Sequence, residues 1–470
     1  MKLYAAQLDF HAILTEFQLH PEFSSEVLAD ADAATDRYAS ERIGATDINL
    51  VTIDPPGSMD LDQAVCIEAG DGQYIVHYAI ADVAAFIIPG SALHAESLRR
   101  GQSIYLPDQT IRLHPPQLSE GKASLLPDQT RPAILWTITL DSHGQWADYR
   151  ISRALVRSRA RFTYEETQAA HEAGTLHPAI AALPEVGQLL QTSAVRADAI
   201  TLNFPSQAVQ QTPTGLFELI IEPRLPMMGY NSEISLLAGR CAGTTMAEAG
   251  VGILRTLADL EPHTITQFWT EAEHLGFTEH PESIGEFLRI LNANTPRGMA
   301  IMREAQKLLR GAEYLNLADT TPQVHAGVIH NNGTAKPEYY SHVTAPLRRL
   351  IDRYATEIVL SLQAGSDIPD WVTQDLPTVL NTMTSSSRLA GTVGAACLDY
   401  CEAEVLKTYV GQQFPAITVQ TNPRHHTTRV FVDNPPVFAE CDGALTEGER
   451  HTITLTEADP ARRAVRFSAG

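Results

Sequence analysis

Thr52-Ile53-Asp54-Pro55-Pro56-Gly57-Ser58-Met59-Asp60-Leu61-Asp62 sets three carboxylates around one turn-forming block. Asn49 to Ile53 alternates as a strand does, Pro55 to Ser58 enforce a turn, and Asp60 to Ile67 can resume extended structure. Asp60 and Asp62 then share a face, because strand side chains alternate at period two. Asp54 ends the first strand and can fold back across the turn to meet them. Three oxygen anions repel unless a cation sits among them, and all-oxygen ligation suits Mg²⁺ or Mn²⁺ better than Zn²⁺. The Asp spacing does not match a calcium hand.

A second constellation follows almost three hundred residues later, in Tyr339-Tyr340-Ser341-His342-Val343-Thr344-Ala345-Pro346-Leu347-Arg348-Arg349-Leu350-Ile351-Asp352-Arg353. Leu347, Leu350, Ile351, Tyr354 and Ile358 recur at helical spacing, Pro346 suits a first turn and Thr344 an N-cap. That placement puts Arg348 and Arg349 at the positive end of a helix, where an anion such as phosphate would compensate them.

Taken together, the two segments resemble the catalytic RNB domain of the ribonuclease II family. Further matching blocks are Tyr78 to Val83, Ser103 to Asp108, Leu118 to Leu125, Ser158 to Tyr164 and Glu222-Pro223-Arg224, in order from about residue 45 to residue 405. The resemblance implies a hydrolytic, processive 3′-to-5′ exoribonuclease that releases nucleoside 5′-monophosphates from single-stranded RNA with the help of Mg²⁺. It implies metal ligands at Asp54, Asp60 and Asp62, and an essential role in turnover for Asp62. Arg348 matches the catalytic arginine, whose guanidinium can fork onto a phosphate. Arg349 is a further candidate RNA contact. Tyr105 and Tyr164 match base-stacking positions, and every base offers a π face. The third stacking aromatic aligns with Leu202, beside Phe204.

The departures from the family are specific. Gln63 stands where a fourth aspartate is usual; its amide oxygen could still ligate, but without charge. Ser232-Glu233 replaces an acidic pair expected at the sugar, which bears on reading the 2′-hydroxyl. Gly391 stands where Glu is common. Loss of a ligand at Gln63 keeps open a noncatalytic RNA-binding protein, and a DNA-preferring nuclease is a third reading.

With 34 Lys+Arg against 56 Asp+Glu, the formal charge is −22, which would repel RNA if spread evenly. Arg150, Arg153, Arg157, Arg159 and Arg161 suggest local relief, the last three alternating on one strand face. Length suggests about three units: a small helical N-terminal element at 1–45, built of helices Leu8 to Leu19 and Ser25 to Tyr38; a catalytic domain at 46–408; and an OB-fold at 409–470. The first has a helix-turn-helix outline but an acidic composition poorly suited to a DNA groove, and there is no room for paired cold-shock domains. The last comes from five alternating runs, Ala416 to Thr421, Thr428 to Asp433, Val437 to Glu440, His451 to Thr456 and Ala464 to Phe467. Arg424, His425, His426, Arg429, Arg462, Arg463 and Arg466 are its candidate RNA contacts.

The expected class is therefore α+β, with mixed sheets surrounded by helices that enclose an RNA channel. Five scattered cysteines and the lack of any apolar run approaching about 20 residues point to a cytoplasmic protein that does not enter membranes, and a monomer is expected.

Overall fold

The computed structural model describes residues 4–469 apart from 71, 197, 203–205, 223, 259, 310, 332–335 and 423–425. Phe204, Pro223, Arg424 and His425, all singled out from sequence, lie outside the described residues.

A six-stranded mixed sheet organises the first part of the chain. Its order is Ile43–Gly44, Trp146–Phe162, Leu50–Ile53, Gln63–Gly70, Gln73–Ala81 and Thr130–Leu140. The last strand also pairs with Trp146–Phe162, so the long strand of 17 residues closes the sheet on itself. Leu50–Ile53 runs parallel to the long strand and antiparallel to Gln63–Gly70. Leu50, Val51, Thr52 and Ile53 are all buried, as befits a strand covered on both faces. Helices Pro226–Ala249 and Leu350–Ala364 pack over this sheet and share its core through Ile234, Leu237, Ile351 and Ile358.

The C-terminal strands close into a five-stranded barrel, ordered Gln413–Asn422, Thr427–Asp433, Pro436–Asp442, Ala464–Ala469 and Arg450–Asp459. All five strands read from sequence are present, each extended by one to three residues at its ends. Alternation serves two cores at once. Phe414, Ala416, Val430, Val432 and Phe467 belong to one apolar cluster, while Ile417, Val419 and Phe431 pack with Met299 of helix Pro296–Ala305.

The N-terminal helices are shorter than expected, His11–Glu16 and Ser25–Ala33. The second starts where the Ser24 hydroxyl accepts the Val27 N–H. Their apolar residues go to different places. Leu8, Phe10, Ile13, Leu14 and Leu19 join the core of the barrel and the 37-residue helix Asp370–Leu406, whereas Val27, Ala31 and Ala34 join the sheet core.

Glu402 of that long helix is buried at the barrel junction, where its carboxylate accepts from Gln207 Nε2 at 2.8 Å. Burial pushes its carboxyl up to about 8. The folded chain therefore holds a proton that the unfolded chain releases near 4.5, so this contribution to stability is complete at acid pH and declines as pH rises towards 8. Glu402→Gln should be about 2–4 kcal/mol more stable than the parent near pH 9 and equal to it near pH 4, read from urea midpoints. Equal midpoints at alkaline pH would refute this.

Candidate active site

Backbone geometry at the acidic turn follows its residues. The Ser58 N–H donates to the Pro55 carbonyl at 3.2 Å, and Gly57 takes φ +81°, a conformation that residues with a Cβ avoid at this position of a tight turn. Asp54 N–H donates to Phe162 O at 3.0 Å, which fixes the end of the first strand against the long one. Leu61 is fully buried, so Asp60 and Asp62 on either side of it turn the other way. Its backbone is clamped by the Ser124 hydroxyl and the Leu125 N–H, each at 3.0 Å.

Arg348 arrives from a turn rather than from a helix. Helix Leu350–Ala364 begins five residues later than expected, with Arg349 rather than Thr344 at the cap position. Two carboxylates hold the intervening turn by its amides: Asp62 Oδ1 accepts Leu347 N–H at 2.8 Å, and Asp352 Oδ1 accepts Ala345 N–H at 2.7 Å. Ser103 N–H donates to the Arg348 carbonyl at 3.0 Å. The Arg348 side chain stays 45% exposed, with Nε 3.6 Å from Asp62 Oδ2, and is therefore accessible to a ligand.

Charge density here is high. Burial first and the Asp60 charge second push the Asp54 carboxyl up to about 7. Burial likewise raises Asp60, with Glu120 adding to it, and lifts Asp62 well above the usual carboxylate range. Arg348 opposes the rise at all three. Tyr105, 52% exposed, lies within electrostatic reach of Asp60, Asp62 and Arg348. Tyr164, on the other side, is within reach of Asp54 and Arg348 and accepts from Asn231 Nδ2 at 3.3 Å. Acids, arginine and two tyrosines, distant in sequence, thus face one another.

Among the described residues, no group of three or more His, Cys, Asp or Glu side chains closes tightly enough to hold a metal ion. The donor chemistry nevertheless suits a hard cation. Asp54 Oδ2 is buried without a hydrogen-bond partner, and the neighbouring carboxylates disfavour one another's charge.

Several expectations change on folding. Gln63, placed among the ligands from sequence, is engaged elsewhere: Nε2 donates to Thr344 O at 2.8 Å, and Oε1 accepts from the Tyr78 hydroxyl and from Ser235 Oγ at 3.2 Å. Arg349, expected to touch RNA, is paired with the fully buried Asp352 through Nη2 at 2.8 Å and Nε at 3.0 Å. Glu233, expected at the sugar, is buried in a forked pair with Arg196 at 2.8 and 3.0 Å; neighbouring Ser232 is exposed. Arg153 does not line an open channel, since it is buried against Asp82 and Glu357 at 2.7 and 2.6 Å. Leu202 packs against the core of helices Pro262–His274 and Pro296–Ala305. Arg159 and Arg161 are exposed and donate to Thr46 O and Ser58 O, the latter beside the acidic turn. Arg429 is half-buried, its Nη2 3.4 Å from Phe438 O. Asn231, Tyr78 and Ser235 were missed. Of these only Tyr78 carried a signal, as part of a family-like block.

A sheet closed on itself, with acids and an arginine brought together after its strands, and a five-stranded barrel define a two-part class of fold. Residues 42–363 match the RNB domain, and residues 412–470 match the RNase II-type exonuclease C-terminal S1 domain. The chain belongs to the ribonuclease II/R family of RNB-domain proteins. It is 25% identical to Ribonuclease R of Chlamydia trachomatis over 426 residues, covering 87% of this chain and 58% of the relative. The chain thus spans a little under three-fifths of that relative's length. Mycoplasma genitalium RNase R in complex with ribose methylated single-stranded RNA shares the fold, with TM-score 0.85, 17% identity and coverage of 98% of this chain and 77% of that one. Yeast Ssd1, a pseudonuclease, also shares it, with TM-score 0.68, 16% identity and coverage of 92% and 53%.

Proposed function

We propose that the chain is a hydrolytic exoribonuclease that degrades single-stranded RNA processively from its 3′ end to nucleoside 5′-monophosphates. The observation that carries this is the exposed Arg348 guanidinium set against Asp54, Asp60 and Asp62, with Tyr105 and Tyr164 on either side. Sequence likeness to proteins named Ribonuclease R supports it.

Asp54, Asp60 and Asp62 would hold Mg²⁺ or Mn²⁺, which when bound supplies an acidified water and charge relief at the phosphate. Arg348 forks onto the reacting phosphodiester and offsets the charge that grows there. Asp62, steadied by the Leu347 N–H, orients that arginine through its second oxygen. Tyr105 and Tyr164 stack on the last bases, which holds the strand without reading it. Arg159 and Arg161 track the backbone, Ser232 faces the sugar, and Arg429 of the barrel, together with Arg424, grips upstream nucleotides. Three units at 1–45, 46–408 and 409–470, acting as a cytoplasmic monomer, complete this reading. All five cysteines are unpaired and buried, and among the described residues no helix is long and apolar enough to cross a membrane.

Incubation with 5′-labelled single-stranded RNA and Mg²⁺ tests the proposal. A ladder collapsing to a short end product is expected, with Arg348→Ala slowed about a hundredfold, in the range seen when one charge-stabilising donor is lost. A noncatalytic RNA-binding protein is the alternative reading, left open by the neutral Gln63 beside Asp62. Intact RNA that is nevertheless bound would establish it.

A further inference from the structure

Gln63 ties together elements far apart in the chain. It opens strand Gln63–Gly70, next to Asp62, and its side chain is 2.8 Å from the Thr344 carbonyl, four residues before Arg348. From the other side it is held by Tyr78 of strand Gln73–Ala81 and Ser235 of helix Pro226–Ala249, and those two hydroxyls are themselves 2.6 Å apart. Burial raises the Tyr78 hydroxyl, so it stays protonated and donates. That assigns the amide: Oε1 faces two hydroxyls, and Nε2 must face the carbonyl of Thr344.

We infer that Gln63 is a positioning residue for the reaction, a neutral tether that holds the 344–349 turn so that Arg348 meets the scissile phosphate. The inference rests on the reading of Arg348 as the phosphate-binding group. An amide meets both demands at any pH, whereas a carboxyl could do so only while protonated. An ionised carboxylate has no proton for Thr344 O and would set two acceptors face to face, while an aliphatic chain would leave the Thr344 carbonyl without a donor and the Tyr78–Ser235 hydroxyl pair without its acceptor. Beyond Thr344 the turn is anchored by the Ala345 and Leu347 amides on Asp352 and Asp62 and by the Arg348 carbonyl on the Ser103 N–H, so Gln63 fixes the near end of a segment held along its length by distant partners. Beside its three candidate acid ligands, this chain places a neutral clamp on the arginine.

Gln63→Glu, in the full chain, separates a tether from a ligand. For a tether, amide hydrogen exchange in the 343–350 segment should quicken about tenfold and kcat fall about tenfold, with KM within about twofold. Gln63→Leu should bind Mn²⁺ alone, followed by electron paramagnetic resonance, within about threefold of the parent. Ser235→Ala, which loosens the tether from behind, should give a smaller change in the same direction, and it decides the matter if Gln63→Glu does not fold. Unchanged exchange in the turn, a Gln63→Glu chain faster than the parent, or Mn²⁺ affinity lost in Gln63→Leu would overturn the inference. If the parent itself cleaves no RNA, the functional reading fails while the exchange and Mn²⁺ measurements still judge the tether.

Discussion

Asp62→Asn is expected to cut single-turnover cleavage by at least about a thousandfold while RNA affinity stays within a few-fold. The asymmetry follows from how the group is held. Asp62 is 5% exposed; one oxygen takes the Leu347 amide at 2.8 Å and the other faces Arg348 Nε at 3.6 Å. Asparagine preserves the first contact but presents an NH₂ to a guanidinium at the second, and it removes a charge from the set that would bind a cation. Binding survives because grip is spread over Tyr105, Tyr164 and several arginines, whereas the chemistry depends on a few groups. Thermal stability should not fall, since burial already raises the Asp62 carboxyl well above its ordinary range and a buried anion costs the fold. Single-turnover assays with excess enzyme and filter binding give both quantities. Retention of a tenth of the activity, or loss of RNA binding in step with cleavage, would sink the assignment.

Arg240→Met should cost about 3–5 kcal/mol of folding stability, the range for stripping one partner from a buried ion pair. Arg240 is fully buried in helix Pro226–Ala249, and its guanidinium forks onto Glu338 at 2.6 and 3.0 Å; Glu338 is 5% exposed. Glu338 leads into the 339–343 segment that precedes the Arg348 turn. That segment lies directly on the helix at Gly243, where any Cβ would come within 2.6 Å of the Tyr339 backbone. Loss of Arg240 leaves a carboxylate without water or counter-charge, whereas Arg240→Met with Glu338→Leu removes both charges and should recover most of the loss. Chemical denaturation of the two variants measures this. A single variant within 1 kcal/mol of the parent, or a double variant no better than the single, would contradict it.

What could be read beforehand and what could not divide along physical lines. The barrel was legible because each of its strands alternates at period two, a signal that survives without knowledge of neighbours. The acidic turn was legible because two prolines and a glycine leave the backbone little choice. The start of the helix after Arg349 was not, because apolar spacing continues back through Leu347 while residues 344–349 are held in a turn by partners distant in sequence, among them Asp62 and Gln63. The same limit applies to charge. Nothing in an arginine's neighbours along the chain distinguishes Arg348, which is exposed, from Arg349, Arg153 or Arg240, which are buried against acids distant in sequence.

The class of fold and the set of candidate acids were thus available from the order of residues alone, since they rest on short-range periodicity and turn chemistry, and the family resemblance rests on the order of its motif blocks along the chain. Which of those polar groups face a ligand and which only hold the fold together was decided by tertiary structure. A side chain's partner is set by what packs across from it, as Gln63 shows by meeting Thr344, Tyr78 and Ser235 from three separate parts of the chain.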